Sequence, residues 1–236
     1  MIWHNHPVPR IARVVAVGAP HHVTQRGNNR QQIFFTDLDR RVYMTLLRQH
    51  AARHDLRVLG WCLMLNHVHL VGIPEHEHSL ARALGRTHYH YTIYFNRQMI
   101  RSGHLWQNRF FSTPLDRVHL HTAVRYVGLN PVRAGLVEQA VEYEWSSAAA
   151  HIGARDEWNL LDRKSWRRIC TRADWADALR DPVIEADEMT RLRKATKTGR
   201  PLGSNAFVGG LEMRLGRPLK RRRTRPSRQS RAAAAG

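Results

Sequence analysis

The chain has 236 residues and a formal net charge of +19, with 38 Lys and Arg against 19 Asp and Glu, and this excess indicates a polyanionic partner such as nucleic acid. Apolar residues make up 42% of the sequence, which is enough to build a core and excludes wholesale disorder. The longest run of apolar residues and glycine, 58–65, is too short to span a bilayer, so no membrane partner is expected. With two cysteines and no apolar leader, the chain is expected in the cytoplasm, near the nucleoid.

The first part of the chain alternates predicted strands and helices. In chain order these are a strand over 12–25, a helix over about 38–54, strands over 56–65 and 67–73, a helix over about 79–100, an irregular strand over 105–115 and a helix over 116–129. Thr36 and Ser79 can cap the first two helices, Asn66 can turn the chain between the paired strands, and Asn130 with Pro131 halts the last helix. This order is the split β-α-β pattern of a ferredoxin-like fold, so we predict an α+β domain with a four-stranded antiparallel sheet and helices on its faces.

The secondary-structure signal weakens after residue 131. Short helices are predicted over 145–152 and 163–171, a charged helix over about 182–195, a linker over 198–201 and a helix capped by Ser204. The predicted organisation is a disordered extension over 1–10, a main domain over 11–153, a helical C-terminal extension over 154–215 and a disordered basic tail over 216–236. The tail either holds nucleic acid or is merely solvated, and its candidate DNA contacts are Arg221, Arg222 and Arg223.

A pair of histidines gives the strongest chemical signal. His67 and His69 are two apart on a predicted strand, so both imidazoles lie on one face, about 6–7 Å apart along the backbone, while Val68 faces the core. Two neutral imidazoles form half of a divalent-metal site. The alternative interpretation is two half-exposed histidines on a sheet.

Tyr126 and Asn130 offer chemistry that such a metal could serve. They are four apart on the last predicted helix and share a face. An amide oxygen suits Mg²⁺ or Mn²⁺, and a tyrosine beside an open coordination position could attack phosphorus while the metal polarises the phosphate. The phenol must lose its proton in that attack, so a base or a metal-bound water has to help. The alternative for Tyr126 is a helix tyrosine that packs its ring on the sheet.

Residues near the first strand could bind phosphate. His21 and His22 lie on the strand expected to border the histidine pair, and either one could face the metal or a phosphate, or serve only the structure. The turn that follows offers Arg26, Asn28 and Arg30 to backbone phosphates.

Aromatic and basic residues interleave between Trp106 and Phe111, with Arg109 among them, as they do in proteins that stack single-stranded bases. The alternative there is an ordinary strand with core aromatics. Cys62 could be a soft metal ligand, but a buried core cysteine is the better interpretation.

Several motifs appear in a fixed order along the chain. They are HVTQRG over 22–27, IFF over 33–35, WCLMLNHVH over 61–69, YVGLNPVRAG over 126–135, WSS over 145–147 and GRPLG over 199–203. Together they resemble the REP-associated tyrosine transposases, a branch of the single-tyrosine HUH transposases of bacterial insertion sequences. The resemblance covers roughly 11–153 well and the C-terminal third loosely. Leu65 stands where many relatives have a polar residue or a proline, and Gly128 is a poor helix former inside the tyrosine helix.

The resemblance implies a ferredoxin-like HUH domain in which His67 and His69 bind Mg²⁺ or Mn²⁺ and Asn130 is a third polar ligand. Tyr126 would cut one DNA strand, keep a 5′-phosphotyrosine link and release a 3′-hydroxyl, and another 3′-hydroxyl would later rejoin the strands without ATP. The implied partner is single-stranded DNA with palindromic hairpins, bound by a monomer or a homodimer. Arg133, in the motif that begins at Tyr126, is a further expected DNA contact.

Two other functions stay open at this point. One is a DNA-binding or regulatory protein that derives from such a transposase and performs no turnover. The other is a zinc-dependent hydrolase built on the two histidines, which lacks a nearby carboxylate ligand because Glu75 and Glu77 fall beyond Pro74. The combination of two histidines, a tyrosine and an asparagine in one chain favours the transposase.

Overall fold

Four antiparallel strands form the sheet of the protein, whose computed structural model describes residues 12–181 and 183–220. The strands are β1 (His21–Arg26), β2 (Leu56–Met64), β3 (His67–Pro74) and β4 (Phe111–Pro114), in the spatial order β2-β3-β1-β4. β1 lies between β3 and β4 and pairs antiparallel with both, and β2 and β3 form the predicted hairpin. This is the strand order of a ferredoxin-like sheet, so the predicted fold class is confirmed.

Helices connect and cover the strands. They are α1 (Asp37–Arg53), α2 (Ser79–Gln98), α3 (Arg117–Gly128), α4 (Asn130–Arg133), α5 (Ala148–His151), α6 (Arg163–Arg167), α7 (Arg172–Arg180), α8 (Ala186–Thr198) and α9 (Asn205–Leu215), with 3₁₀ turns at Asn28–Arg30 and Ala140–Glu142. Two predicted caps are in place, since Thr36 forms a capping box with Asp39 and Ser204 accepts a hydrogen bond from the Phe207 amide. Ser79 is instead the first residue of α2, and its hydroxyl accepts a hydrogen bond from the His76 amide.

The two faces of the sheet bury separate apolar clusters. Val68 and Leu70 of β3 belong to the cluster under α1 and α2, whereas Val71 belongs to the cluster under α3. Side chains alternate along a strand, so His67 and His69 share the face that α3 covers. The sheet therefore presents the histidine pair to α3, as the predicted alternation requires.

The observed first and fourth strands are shorter than predicted. β1 begins at His21, because Val14 and Ala16 are buried in a small third cluster beneath α9 instead of pairing with a strand. β4 holds only residues 111–114, and Trp106 makes an isolated bridge with Gly27. The apolar composition of these two segments predicted correctly that they are buried. The prediction was wrong in assigning the whole of each segment to a strand of the sheet.

The predicted stop at Asn130 and Pro131 is a helix junction. α3 ends at Gly128 and α4 begins at Asn130, so the chain resumes a helix after one residue. Proline is tolerated there because the first turn of a helix has no intrahelical acceptor for its backbone N–H groups. Asn130 therefore occupies the start of a new helix instead of the continuous helix on which its spacing from Tyr126 was judged.

The C-terminal helices also differ from the prediction. α5 and α6 are shorter than predicted, and α8 begins at Ala186 and runs to Thr198, into the predicted linker. α7 was not predicted. Its cap is Thr171, whose hydroxyl accepts from the Asp174 amide, and this residue had been assigned to the end of the preceding helix.

The predicted boundary between residues 153 and 154 does not separate two cores. Trp166, Trp175 and Leu192 from the C-terminal extension share one cluster with Val71 and Val124. At the other end of the extension, Leu219 is 1% exposed, so the described part of the predicted tail, 216–220, contributes to the third cluster.

Residues 1–11, 182 and 221–236 lie outside the described part of the chain, and with them the predicted extension over 1–10, the start of the predicted charged helix and the tail residues Arg221, Arg222 and Arg223. Among the described residues, none of the helices combines the length and hydrophobicity that a bilayer span needs.

Candidate metal and nucleophile site

β3 and α3 bring the predicted histidine pair and tyrosine together. The ring centroids of His67 and His69 are 5.0 Å apart. Tyr126 packs edge-on against His69 with ring centroids 5.5 Å apart, and it is only 6% exposed. The tyrosine thus packs on the sheet, as one interpretation expected, and it does so directly beside the histidines, as the other required.

Burial keeps both histidines neutral. It lowers the pKa of His67 to about 4, and the nearby Arg26 guanidinium adds to this effect. The pKa of His69 lies well below its ordinary value, through burial first and then through the neighbouring His67 and His22. His67 Nδ1 donates to Asn66 Oδ1 at 2.7 Å, which leaves the lone pair on Nε2. A neutral imidazole with an available lone pair is the form that binds metal ions.

Asn130 and Arg133 form the next layer of the site. Asn130 is 8% exposed, its Oδ1 accepts from Arg133 Nη2 at 3.0 Å, and its Nδ2 is buried without a partner among the described residues. Arg133 also donates from Nη1 to the Tyr126 carbonyl at 3.1 Å and places Cζ 4.2 Å from the Tyr126 ring centre. The predicted DNA contact Arg133 is thus half-buried against the tyrosine and the asparagine.

In the described ranges, no group of three or more His, Cys, Asp or Glu side chains is arranged to hold a metal ion. The two imidazoles and the amide oxygen of Asn130 still fit a divalent cation by donor type, since that oxygen keeps a second lone pair beside the Arg133 contact. The remaining ligands would come from substrate or water.

α8 carries a residue that the sequence analysis missed. Arg193 Nε donates to the Tyr126 hydroxyl oxygen at 3.3 Å, and Arg193 Cζ lies 5.7 Å from the ring centre. A guanidinium in this position places a positive charge where negative charge would develop on an attacking phenol oxygen. Arg193 lies 67 residues after Tyr126, so neither helical periodicity nor motif spacing connects the two.

The GRPLG motif over 199–203 is the one signal that could have pointed to α8. Gly199 ends the helix in a left-handed conformation with φ 73°. The Thr113 hydroxyl of β4 then donates to the Arg200 carbonyl, and the Leu202 amide donates to the Pro114 carbonyl at 2.9 Å. These contacts attach the end of α8 to the edge strand of the sheet.

His22 requires a correction, because it was predicted to contact DNA. It is 2% exposed, its ring lies nearly parallel to that of His69 with centroids 5.2 Å apart, and burial lowers its pKa to about 3. Its Nε2 lies 3.0 Å from His69 Nδ1 and its Nδ1 lies 2.8 Å from Thr196 Oγ1. Both ring nitrogens are engaged inside the protein, so His22 does not reach a phosphate. His21 is a structural histidine, whose ring accepts a hydrogen bond from the Ala16 amide and donates one to the Ala19 carbonyl.

The other predicted DNA contacts of the described chain gather at one end of β1. Arg26 is half-buried and pairs in register with His67. Its carbonyl accepts from the Gln107 amide, so the loop before β4 borders the same end of the strand. Of the predicted contacts here, Asn28, Arg30 and Arg109 are exposed. This end of the sheet presents a basic, polar surface beside the histidine pair.

The aromatic residues near β4 serve mainly the core. Phe110 is 8% exposed, and Trp106 is half-buried with its Nε1 donating to the His88 carbonyl at 3.1 Å. Neither is available as an open stacking surface, which favours the core interpretation. Cys62 is fully buried and burial raises the pKa of its thiol, so its interpretation as a core cysteine is confirmed.

The chain is similar to known proteins in part of its sequence and in its fold. The model of a family described as "Transposase IS200 like" matches residues 17–130, which include the histidine pair, Tyr126 and Asn130. The chain is similar to the structure of a REP-associated tyrosine transposase bound to a REP hairpin, with a TM-score of 0.51, 18% identity and coverage of 76% of this chain and 96% of that chain. It is also similar to a crystal structure described as a transposase from Deinococcus radiodurans R1, with a TM-score of 0.36, 18% identity and coverage of 54% and 92%. No curated protein matches the chain.

Proposed function

We propose that the chain, whose residues 17–130 match the model of the IS200-like transposase family, is a DNA strand-transfer enzyme that cleaves and rejoins single-stranded hairpin DNA through a 5′-phosphotyrosine on Tyr126. The observation that carries this proposal is the packing of the Tyr126 ring against His69, with centroids 5.5 Å apart and a guanidinium nitrogen at the phenol oxygen. A nucleophile, candidate metal ligands and a positive charge are thereby assembled within one site.

In the cleavage step, the Tyr126 oxygen attacks the phosphorus of the scissile phosphate. A bond forms between the tyrosine oxygen and phosphorus, and the bond between phosphorus and the 3′-oxygen breaks. The phenol gives its proton to water, and the departing 3′-oxygen takes one up, so the products are a 5′-phosphotyrosine and a 3′-hydroxyl. Attack of another 3′-hydroxyl on that link reverses the exchange, and rejoining therefore needs no ATP.

The chain's own residues stabilise the charge that this step develops. Arg193 donates to the phenol oxygen, and the Arg133 guanidinium lies over the same ring, so both place positive charge where negative charge develops during the attack. Burial of Tyr126 strengthens these interactions, because water screens them less. The edge-on packing against His69 holds the ring while the bond forms.

His67 and His69 would hold a divalent cation, with Asn130 as a third ligand. When bound, the cation supplies Lewis-acid polarisation of the scissile phosphate. Imidazole nitrogens are softer donors than carboxylates, so this set favours Mn²⁺ over Mg²⁺.

The basic end of β1 is the proposed DNA surface. Arg26, Asn28, Arg30 and Arg109 suit backbone phosphates, which carry no sequence information. The arginines at 221–223 would add affinity that falls as salt rises, through counterion release. The structural relative bound to a REP hairpin supports a hairpin substrate for this chain. The residues of the proposed site come from one chain, so the site is compatible with a monomer or a homodimer.

Incubation of the protein with hairpin DNA and Mn²⁺, followed by denaturing electrophoresis, tests the proposal. Wild type is expected to give a covalent protein–DNA band, and Tyr126→Phe is expected to give none. Tyr89→Phe is the matched control, because Tyr89 is an exposed tyrosine on α2. His67→Ala is expected to lose the band while it keeps hairpin affinity, which separates metal chemistry from binding.

Hairpin binding by the wild type without a covalent band, across many hairpins, would instead support the non-catalytic DNA-binding protein. A band that persists in Tyr126→Phe would show that another residue is the nucleophile and would refute the assignment of this site.

A further inference from the structure

We infer that Thr196 and His22 are positioning residues, which hold His69 in the tautomer whose Nε2 carries the metal-binding lone pair. The inference rests on the proposed function, in which His69 is a metal ligand. It gives α8, a helix outside the range matched by the family model, a defined task in the site.

The direction of each hydrogen bond follows from one fixed donor. The Thr196 hydroxyl donates to the Leu192 carbonyl at 2.8 Å, so its single proton is already used. Thr196 Oγ1 must then accept at the 2.8 Å contact with His22 Nδ1, which places a proton on that nitrogen. A neutral His22 with a protonated Nδ1 has its lone pair on Nε2. His69 Nδ1 must therefore donate across the 3.0 Å contact to His22, and the His69 lone pair is on Nε2.

Burial makes it energetically costly to reverse any of these hydrogen bonds. His22, His69 and Thr196 are 2%, 6% and 3% exposed, so water cannot replace a missing partner. Reversal of one bond would leave a buried donor facing a donor, which costs about 1–3 kcal/mol for each unsatisfied group. The Leu192 carbonyl on α8 therefore fixes the direction of each hydrogen bond in turn, and through these bonds it fixes the tautomer of the candidate metal ligand His69. The tautomer of His67 is fixed separately by its hydrogen bond to Asn66, so both candidate ligands carry their lone pair on Nε2.

Attachment of α8 to the sheet keeps the chain of hydrogen bonds in place. The Arg200 and Leu202 contacts with β4 follow directly after the helix. Leu192 and Ala195, on either side of the Arg193 contact, are buried in or near the core. An outer hydrogen-bond partner of a ligating histidine fixes its ring and tautomer, and loss of such a partner costs about 10- to 100-fold in metal affinity.

Thr196→Val tests the inference, because valine keeps the shape of threonine and removes the hydroxyl. Thr198→Val is the matched control, since Thr198 lies on the same helix and its hydroxyl also donates to a helical carbonyl. Thr196→Ser restores the hydroxyl and is the rescue variant. Two readouts are needed: the imidazole tautomers of the metal-free full chain by long-range ¹H–¹⁵N NMR, and Mn²⁺ affinity by titration without DNA.

In wild type, Thr196→Ser and Thr198→Val, we expect His69 protonated on Nδ1 and one common Mn²⁺ affinity. In Thr196→Val we expect His22 and His69 to shift toward protonation on Nε2, and Mn²⁺ binding to weaken about 10- to 100-fold. His22→Phe, which keeps an aromatic ring and removes both nitrogens, is expected to weaken Mn²⁺ binding to a similar degree.

Thr196→Val with the wild-type His69 tautomer overturns the inference, and so does a shifted tautomer with unchanged Mn²⁺ affinity. Neither readout uses DNA or cleavage. A wild type with the expected tautomers and Mn²⁺ binding but no covalent band would therefore refute the proposed function and leave the role of Thr196 and His22 standing.

Discussion

Removal of the Arg193 guanidinium is expected to slow covalent capture of DNA without weakening DNA binding to the same degree. Arg193 Nε donates to the Tyr126 oxygen at 3.3 Å, and the bond strengthens as that oxygen becomes negative. A hydrogen bond to a charged group contributes about 1.5–3 kcal/mol, and each 1.36 kcal/mol is a factor of ten in rate, so loss of the contact predicts a slowing of about 10- to 100-fold. Arg193 is an exposed residue, so water partly screens its charge and the lower half of this range is expected.

Single-turnover formation of the protein–DNA adduct on hairpin DNA with Mn²⁺ measures this effect for Arg193→Ala. Arg191→Ala is the matched control, because it removes an equal charge from the same helix. Arg193→Lys is expected to fall between the two, since lysine keeps the charge but not the Nε geometry. Equal rates for Arg193→Ala and Arg191→Ala would refute a direct role of the guanidinium at the phenol, and a loss of hairpin affinity that matches the loss of rate would move Arg193 to the DNA surface.

Three further predictions concern stability and are measured by urea denaturation. Gly203→Ala is expected to lower the free energy of unfolding by about 1–3 kcal/mol, because its added Cβ would lie 2.5 Å from a neighbouring ring carbon; Gly209→Ala, with open space around it in α9, should not destabilise, and equal effects would contradict the steric argument. Leu192→Ala, at a fully buried position of α8, is expected to cost about 2–5 kcal/mol, and a neutral result would show that α8 is not packed on the core. Burial lowers the pKa of His88 to about 3, so the unfolded chain binds this proton at a higher pH than the folded protein, and the stability that the neutral ring allows at pH 8 is lost as the pH falls below about 6.5. Between pH 8 and 5.5 this group should cost wild type between about 1 and 2 kcal/mol; His88→Gln should lack that part of the pH dependence, whereas Tyr43→Phe, which removes only the hydroxyl at the His88 ring, should keep it.

The sequence alone determined the architecture of the sheet and the side of it on which the candidate site lies. Alternation along β3 placed His67 and His69 opposite Val68, and the order of strands and helices predicted the ferredoxin-like topology. These features depend on neighbours within a few residues in the chain, where strand and helix periodicities apply. Tyr126 could be assigned to the adjacent helix for the same reason.

Only the tertiary structure decided what surrounds those residues. The sequence pattern predicted Val14 as part of a strand, but Val14 packs beneath α9. It offered His22 as a phosphate contact, but His22 is buried between His69 and Thr196. Arg193 reaches the phenol from 67 residues away. Each of these contacts joins segments far apart in the chain, and no local periodicity records such a distance. They form because the C-terminal helices share the core of the sheet, so burial of Trp175 and Leu192 in that core brings α8 to the site.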